Sequence, residues 1–382
     1  MKIVFTTNIF ENHYLFRKNL IDYFIKKGHE IWALANYDGW EKKISSIGAK
    51  CNNLYNIKRG SLNPINDNKL LIELYMLYKK IKPDIAFHFT IKPNIYGSIS
   101  AALLGIKSIS TVEGLGYVFN KKGPLKFLVK YLYSVAFRYP KAIFFLNQDD
   151  KKYFEISKII PFSKSRLIPG CGLNLEYFRI SSQVNEKKRN NYDIIFLFMG
   201  RLLWDKGIGE LAEAAAMVRR HFPLAEVWVL GRTDPDNPAA VPEGQIRQWE
   251  REGRFTWLGW VQDVRPLISQ SDVVVLPSYR EGIPRSLLEA MAMGKPIITT
   301  DSVGCREVIE DGRNGFMVPV KDTEALAAAM IKMIHLGEEG RREMGLYGRR
   351  KAEREFDERL VIQAYLREID RILAAEGQAA KS

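Results

Sequence analysis

Apolar runs of strand length alternate with amphipathic helical stretches along almost the whole chain, and they do so in two separate series. The first opens with "KIVFTT", a loop, the amphipathic stretch "YLFRKNLIDYFIKKG" and a second apolar run, "EIWALA". Strand, helix and strand in this order make a βαβ unit, whose crossover is right-handed and whose strands are parallel. The alternation continues through "DIAFHFT", "SISTVEG", "AIFFLN" and "SRLIPG". It stops at "RISSQVNEKKRNNYD" (Arg179 to Asp193), which is polar, has no apolar period and reads as a linker. The second series follows: "IIFLFMG", a helix from Gly207 to about Phe222, "EVWVLG", "FTWLGW", "VVVLP", "PIITT" and "GFMVP". "RLVIQAYLREIDRIL" then forms a last amphipathic helix after the strands have run out. At 382 residues the chain exceeds one ordinary core. The expectation is an α/β protein with two doubly wound, parallel-sheet (Rossmann-like) domains facing a cleft. The expected bounds are 1–180, a linker at 181–193, a second domain at 194–355, and a helix and tail at 356–382 that cross back to the first domain. In such sheets ligands bind beyond the carboxyl ends of the strands, so the cleft is the expected site.

Composition narrows the class. A hydrophobic fraction of 46% beside 26% charged residues is globular rather than disordered. No apolar run approaches a bilayer span, and "MKIVFTTNIF" lacks a cleavage pattern. Cys51, Cys171 and Cys305 are odd in number and widely spaced, which suits a reducing cytoplasm rather than a disulfide frame. The histidines show no metal-ligand spacing, and no metal or cofactor is expected.

The net charge of +13 is unevenly spread. Residues 1–192 carry 25 Lys and 6 Arg against 14 acids, a net +17; residues 193–382 carry 6 Lys and 20 Arg against 30 acids, a net −4. An anionic membrane surface or a phosphorylated substrate suits the first half. Nucleic acid is not expected, because no compact basic motif or nucleic-acid fold signature appears. The change from Lys to Arg, with a rise in Ala and Gly, falls near residues 179–195 and reads as two related sequences joined there.

A nicotinamide enzyme is excluded first, since no G-x-G-x-x-G follows the opening strand. Asp234 and Asp236 in "TDPDNP" have the spacing of a metal-diphosphate pair but sit in a Pro-rich loop and read as turn chemistry. In "GRLLWDKG", Gly200 ends a strand, and Arg201 and Lys206 flank a short turn before a helix. Two cations beside a helix N-terminus suit a diphosphate; the alternative is an ordinary loop with solvated cations. In "PSYREGIPRSLLEAMAMGKPII", Gly282 lets backbone N–H groups approach a ligand, and helix growth near Arg285 puts Glu289 about one turn in. Surface acids near a helix start would explain Glu281 and Glu289 but not Gly282 and Pro284.

"GRLLWDKG", "LGWVQDV", "LPSYREGIPRSLLEAMAMGKPIITTD" and "GCREVIEDGRNGFMVP", in this order, resemble the donor half of glycosyltransferase family 4. The resemblance is dense from about Met199 to Asp322. It implies a GT-B fold, transfer with retention of the sugar configuration and no metal. It also implies that Gly200, Arg201 and Lys206 hold the donor diphosphate and that Glu281 contacts the donor sugar. Gly282, Ile283 and Pro284 would form the phosphate-facing loop, Glu289 would hold the ribose, and the strand end at Val261 would face the nucleobase.

In the first half "TIKPNIYGS" and "TVEGLGY" are similar to a branch that builds bacterial surface glycans on undecaprenyl diphosphate, including N-acetylgalactosaminyltransferases. Many family members place a histidine after the strand "SISTV", where this chain has Glu113, as that branch does. The resemblance implies a UDP-sugar donor and a lipid-diphosphate-linked sugar acceptor. Arg201, Lys206, Glu281 and Glu113 are the expected catalytic residues. Asn12, His13, Arg17, His88 and Lys92 are the expected acceptor residues, although His88 inside an apolar strand also reads as a core histidine. "NKKGPLKFLVKYLYSVAFRYPK" interleaves Lys, aromatic and aliphatic residues at helical spacing, as an in-plane membrane helix does and as a packed helix also can. Peripheral attachment to the inner face of the cytoplasmic membrane follows. Two other readings stay open: a nucleotide-sugar-binding protein with weak turnover, and a GT-B epimerase acting on UDP-N-acetylglucosamine.

Overall fold

The strands that read as unbroken apolar runs are buried on both faces, as parallel strands covered by helices must be. The structure is a computed structural model and describes residues 1–57, 63–115, 123–180, 193–235 and 237–379. Asp236, most of the 181–193 linker, and Gly116 and Tyr117 of "TVEGLGY" lie outside the described residues.

The chain packs as two units, one of Met1–Gly172 with Glu358–Ser382 and one of Leu173–Asp357. Residues 173–180, counted with the first half on sequence, therefore pack with the second unit.

The first unit holds β1 (Lys2–Ile9), β2 (Glu30–Asn36), β3 (Lys50–Asn53), β4 (Ile85–Phe89), β5 (Lys107–Val112), β6 (Ala142–Phe145) and β7 (Ser165–Leu167). They form one sheet in the order β3-β2-β1-β4-β5-β6-β7, with every described pairing parallel. Strand order reverses between β1 and β4. The edge strand β3, "KCNN", is polar and was not anticipated. Its helices are α1 (Phe10–Lys26), α2 (Glu41–Ser45), α3 (Pro64–Ile81), α4 (Ser98–Leu103), α5 (Pro124–Ala136) and α6 (Gln148–Ile156). Asn63 caps α3 by accepting from the Ile65 N–H, and Asn147 caps α6 by accepting from the Asp150 N–H.

The second unit holds β8 (Ile194–Met199), β9 (Ala225–Leu230), β10 (Thr256–Gly259), β11 (Val273–Leu276), β12 (Ile297–Thr300) and β13 (Gly315–Val318). Their order is β10-β9-β8-β11-β12-β13, again parallel, with the reversal between β8 and β11. Its helices are α7 (Ile208–His221), α8 (Glu243–Arg251), α9 (Arg265–Gln270), α10 (Arg285–Ala292), α11 (Thr323–His335) and α12 (Gly337–Glu355).

The last helix, α13 (Glu358–Ala379), belongs to the first unit. Its Tyr365 ring lies 5.1 Å from Phe87, 6.5 Å from Phe89 and 4.7 Å from Phe144, and its hydroxyl is 2.6 Å from Thr111 Oγ1. Glu368 accepts from Arg166 Nε at 3.2 Å. The described residues include no helix long and apolar enough to cross a membrane.

Candidate active site

In the second unit the strand-order reversal brings two loops together, one after β8 and one after β11. Arg201 follows the β8 end, and its guanidinium donates to Asp234 Oδ2 at 2.6 Å. A single 3₁₀ turn, Trp204–Lys206, leads to Gly207 at φ 71° and the start of α7. Gly207 is required twice over, because its backbone is left-handed and an added Cβ would collide with the Pro277 carbonyl. The β11 loop is bound across this junction: Tyr279 N–H donates to the Asp205 carbonyl at 2.9 Å and Ser278 Oγ donates to the same oxygen at 3.1 Å. Lys206 donates to Glu281 Oε1, so one cation and one carboxylate meet beside the α7 N-terminus. Such a terminus carries unpaired N–H groups and a partial positive charge.

Glu281 N–H donates to the Val303 carbonyl at 2.8 Å, and Gly304 (φ 83°) abuts the Glu281 and Gly282 carbonyls where no Cβ fits. The "GCREVIEDG" segment therefore supports the "EGIP" loop. Ile283 and Pro284 are buried, and Gly282 is half-buried. Helix α10 starts at Arg285, and Glu289 in its second turn accepts from Arg285 Nε at 2.8 Å. Burial pushes the Glu289 carboxyl up, against the downward pull of Arg285. Gly200 and Val261, at the ends of β8 and β10, are half-buried.

The first unit treats its expected site residues differently. The helix starts at Phe10, so His13 and Arg17 fall on its buried face with Leu20, Ile21 and Phe24. His13 Nε2 is 3.2 Å from the Leu34 carbonyl, its ring packs on Phe10, and burial pushes its pKa down to about 3. Arg17 stacks 4.3 Å over the Phe89 ring and pairs with Glu113, directly after β5; only 6% of the Arg17 side chain and 24% of the Glu113 side chain are exposed. Asn12, which precedes both in α1, is half-buried.

His88 is a core histidine. Its Nε2 is 3.1 Å from Tyr78 Oη and its Nδ1 is 3.3 Å from Ser98 Oγ, while Thr6 and Ser110 extend the network at 2.9 and 3.0 Å. Burial lowers its pKa to about 3, so it stays neutral. Lys92 is held by Asp67 at 2.7 Å. Of the expected acceptor residues Asn12, His13, Arg17, His88 and Lys92, the last four have partners inside the first unit, and His13 and Arg17 share the buried face of α1.

Two family models match the chain, "Glycosyl transferase 4-like" over residues 2–148 and "Glycosyl transferases group 1" over residues 193–335. The chain belongs to these glycosyltransferases. Among curated relatives, a Campylobacter jejuni N,N'-diacetylbacillosaminyl-diphospho-undecaprenol alpha-1,3-N-acetylgalactosaminyltransferase is 28% identical over 98% of this chain and 99% of its own length. An Escherichia coli UDP-Gal:alpha-D-GlcNAc-diphosphoundecaprenol alpha-1,3-galactosyltransferase is 27% identical over 72% of each chain. Among solved structures, Anabaena HepE in complex with UDP superposes with a TM-score of 0.80 at 19% identity, covering 97% of this chain and all of the other. The sucrose-phosphate synthase of Thermosynechococcus elongatus gives 0.81 at 18% identity, covering 98% and 100%. These neighbours show that the two sheets are those of a GT-B glycosyltransferase.

Two features of this glycosyltransferase escaped the sequence reading. Asp234, taken for turn chemistry, holds the Arg201 guanidinium. Thr90, in the "TIKPNIYGS" segment, has a left-handed backbone and bonds to Asn8. The spacing of Asp234 and Asp236 gave no sign of the Arg201 pairing, and Thr90 gave no signal at all.

Proposed function

We propose that this glycosyltransferase moves a sugar, an N-acetylhexosamine, from a UDP-sugar to a polyprenyl-diphosphate-linked saccharide, with retention of configuration and without a metal ion. The observation that carries this reading is the meeting of Lys206, Glu281 and the α7 N-terminus where strand order reverses in the second unit. A departing diphosphate needs positive charge most when its bond to the sugar breaks. Lys206, Arg201 and the helix N–H groups supply it, as electrostatic rather than covalent catalysis. In the resting chain both cations have carboxylate partners, Glu281 and Asp234, and the diphosphate takes their place.

Glu281 is then released towards the donor sugar. Gly282 and Ile283 present backbone to the phosphate, Glu289 accepts from the ribose hydroxyls, and Val261 borders the base. Retention without a nucleophile corresponds to attack from the face that the nucleotide leaves. Glu113, its carboxylate already engaged by Arg17, contributes charge on the acceptor side, and the leaving phosphate takes the acceptor proton. The named substrates of the two curated relatives support the lipid-linked acceptor.

The acceptor's lipid brings the enzyme to a membrane. Helix α5 buries Val129, Tyr133 and Ala136 and exposes Phe127 (73%), Leu128 (54%) and Tyr131 (65%) beside Lys126 and Lys130. Aromatic and aliphatic side chains flanked by lysines suit an anionic surface. A donor screen with released UDP as the readout, with and without a lipid-diphosphate saccharide, tests the function. UDP release that never depends on acceptor would refute it.

A further inference from the structure

The "TIKPNIYGS" segment begins with a strained residue. Thr90 directly follows β4 with φ 66°, a left-handed conformation that a β-branched residue rarely adopts. Its hydroxyl donates to Asn8 Oδ1 at 2.9 Å. Thr6 pairs with His88 in the sheet, so Asn8 and Thr90 lie level at the carboxyl ends of β1 and β4. That is the point where strand order reverses in the first unit. In open α/β sheets this crevice is where ligands bind.

The rest of the segment explains itself structurally. Lys92 and Tyr96 bond to Asp67 at 2.7 and 3.0 Å, Asn94 Nδ2 donates to the Thr111 carbonyl at 2.9 Å, and Gly97 leaves room for the His88 imidazole. These ties anchor the corner on α3 and β5; the Asn94 N–H also donates to the Thr90 carbonyl at 3.0 Å, a backbone bond that a glycine at this position would make as well, so none of them needs a left-handed threonine. Strain that the packing does not demand points to function. What the strain achieves is orientation. With Oδ1 of Asn8 engaged by Thr90, the amide nitrogen is the end left over, and it has no partner among the described residues. Asn8 is half-exposed, so that nitrogen is accessible to a ligand.

We propose that Asn8 binds the acceptor saccharide through Nδ2, donating to an oxygen lone pair of the sugar, a ring hydroxyl or an N-acyl carbonyl, and that Thr90 is its positioning residue. This rests on the reading that the first unit takes the acceptor.

The test uses a water-soluble short-chain polyprenyl diphosphate carrying an N-acetylhexosamine, and its counterpart carrying the plain hexose. Asn8→Asp keeps the acceptor for the Thr90 hydroxyl and removes the donor. It should raise the acceptor KM roughly tenfold with UDP affinity and Tm unchanged. Thr90→Gly relieves the left-handed backbone, so Tm should stay level or rise while the acceptor KM rises with it. Thr90→Ser keeps the hydroxyl and should stay within about twofold of the parent. A penalty confined to the N-acetylated acceptor identifies the acyl carbonyl as the partner; a penalty on both identifies a hydroxyl.

An unchanged acceptor KM in Asn8→Asp overturns the proposal. So does a fall of Tm in Thr90→Gly, or a loss of UDP affinity in either variant, because each marks a structural tie instead. Should the parent chain transfer no sugar to either acceptor, the proposed function has failed, and direct binding of the N-acetylated acceptor to parent and Asn8→Asp still decides this inference.

Discussion

The two units share their strand order, apart from a seventh strand in the first, and treat charged side chains near its reversal point in opposite ways. In the second unit the charged pairs there, Lys206 with Glu281 and Arg201 with Asp234, join residues on separate loops beyond the strand ends. In the first unit Arg17 packs against Phe89 and Glu113 at the carboxyl ends of β4 and β5, and His13 and His88 belong to the core. A charge near a strand end is therefore no guide to ligand binding by itself. The deciding feature is whether its partner belongs to the packed face, where separation destabilises the fold, or to a loop, where a ligand can replace it.

Four experiments sharpen or break this contrast. Arg17→Met leaves Glu113 without its counter-charge beside an apolar face and should destabilise the first unit by roughly 3 kcal/mol. Denaturant unfolding followed by amide exchange in β1 and β4 reads this, and a variant of parent stability that lost only acceptor binding would return Arg17 to the active site. Lys206→Ala should do the reverse, lowering turnover roughly a hundredfold, about 2.7 kcal/mol, with little change in stability. If donor affinity and turnover both survive, the diphosphate is not bound there.

The buried histidines predict the acid limb. His13 and His88 have folded values near 3 against 6.5 when unfolded, so the unfolded chain binds the extra protons between those values. Stability contributed by keeping them neutral is present above pH 6.5 and is lost as pH falls towards 3. Each should account for about 2 kcal/mol between its unfolded value and about pH 5. His88→Gln should flatten that limb, and a limb of unchanged slope would show that His88 is not neutral in the fold.

The smallest effect concerns α5. Replacing Lys126 and Lys130 by Glu should weaken binding to anionic vesicles by roughly tenfold and make the remainder less sensitive to salt. Sedimentation with neutral and anionic vesicles measures it; equal binding to both by the parent chain contradicts an electrostatic approach.

Most strands were legible because parallel strands covered on both faces must be continuous apolar runs, as "IIFLFM" and "AIFF" are. β3 was not, because an edge strand of four polar-flanked residues carries neither a run nor an alternation. The α10 start at Arg285 was legible from Gly282 and Pro284, since local backbone demands leave local residue signatures. The burial of His13 and Arg17 was hidden by one boundary: β1 extends to Ile9 and α1 begins at Phe10, so the loop read around His13 is the first turn of the helix, and the helix register turns His13 and Arg17 inward. Asp234 meets Arg201 across 33 residues, a distance over which no local pattern speaks. Thr90 was silent for another reason, because nothing in a threonine announces a left-handed backbone.

The placement of α13 bears on synthesis. The first unit's sheet is complete once Leu167 is made, yet Phe87, Phe89 and Phe144 receive Tyr365 only after the whole second unit has been translated. At about 5–20 residues per second, that aromatic face waits on the order of ten seconds or more for its cover. During that interval the ribosome-bound chain leaves an aromatic surface open beside a finished sheet, and the first unit reaches its final packing only when synthesis is nearly over.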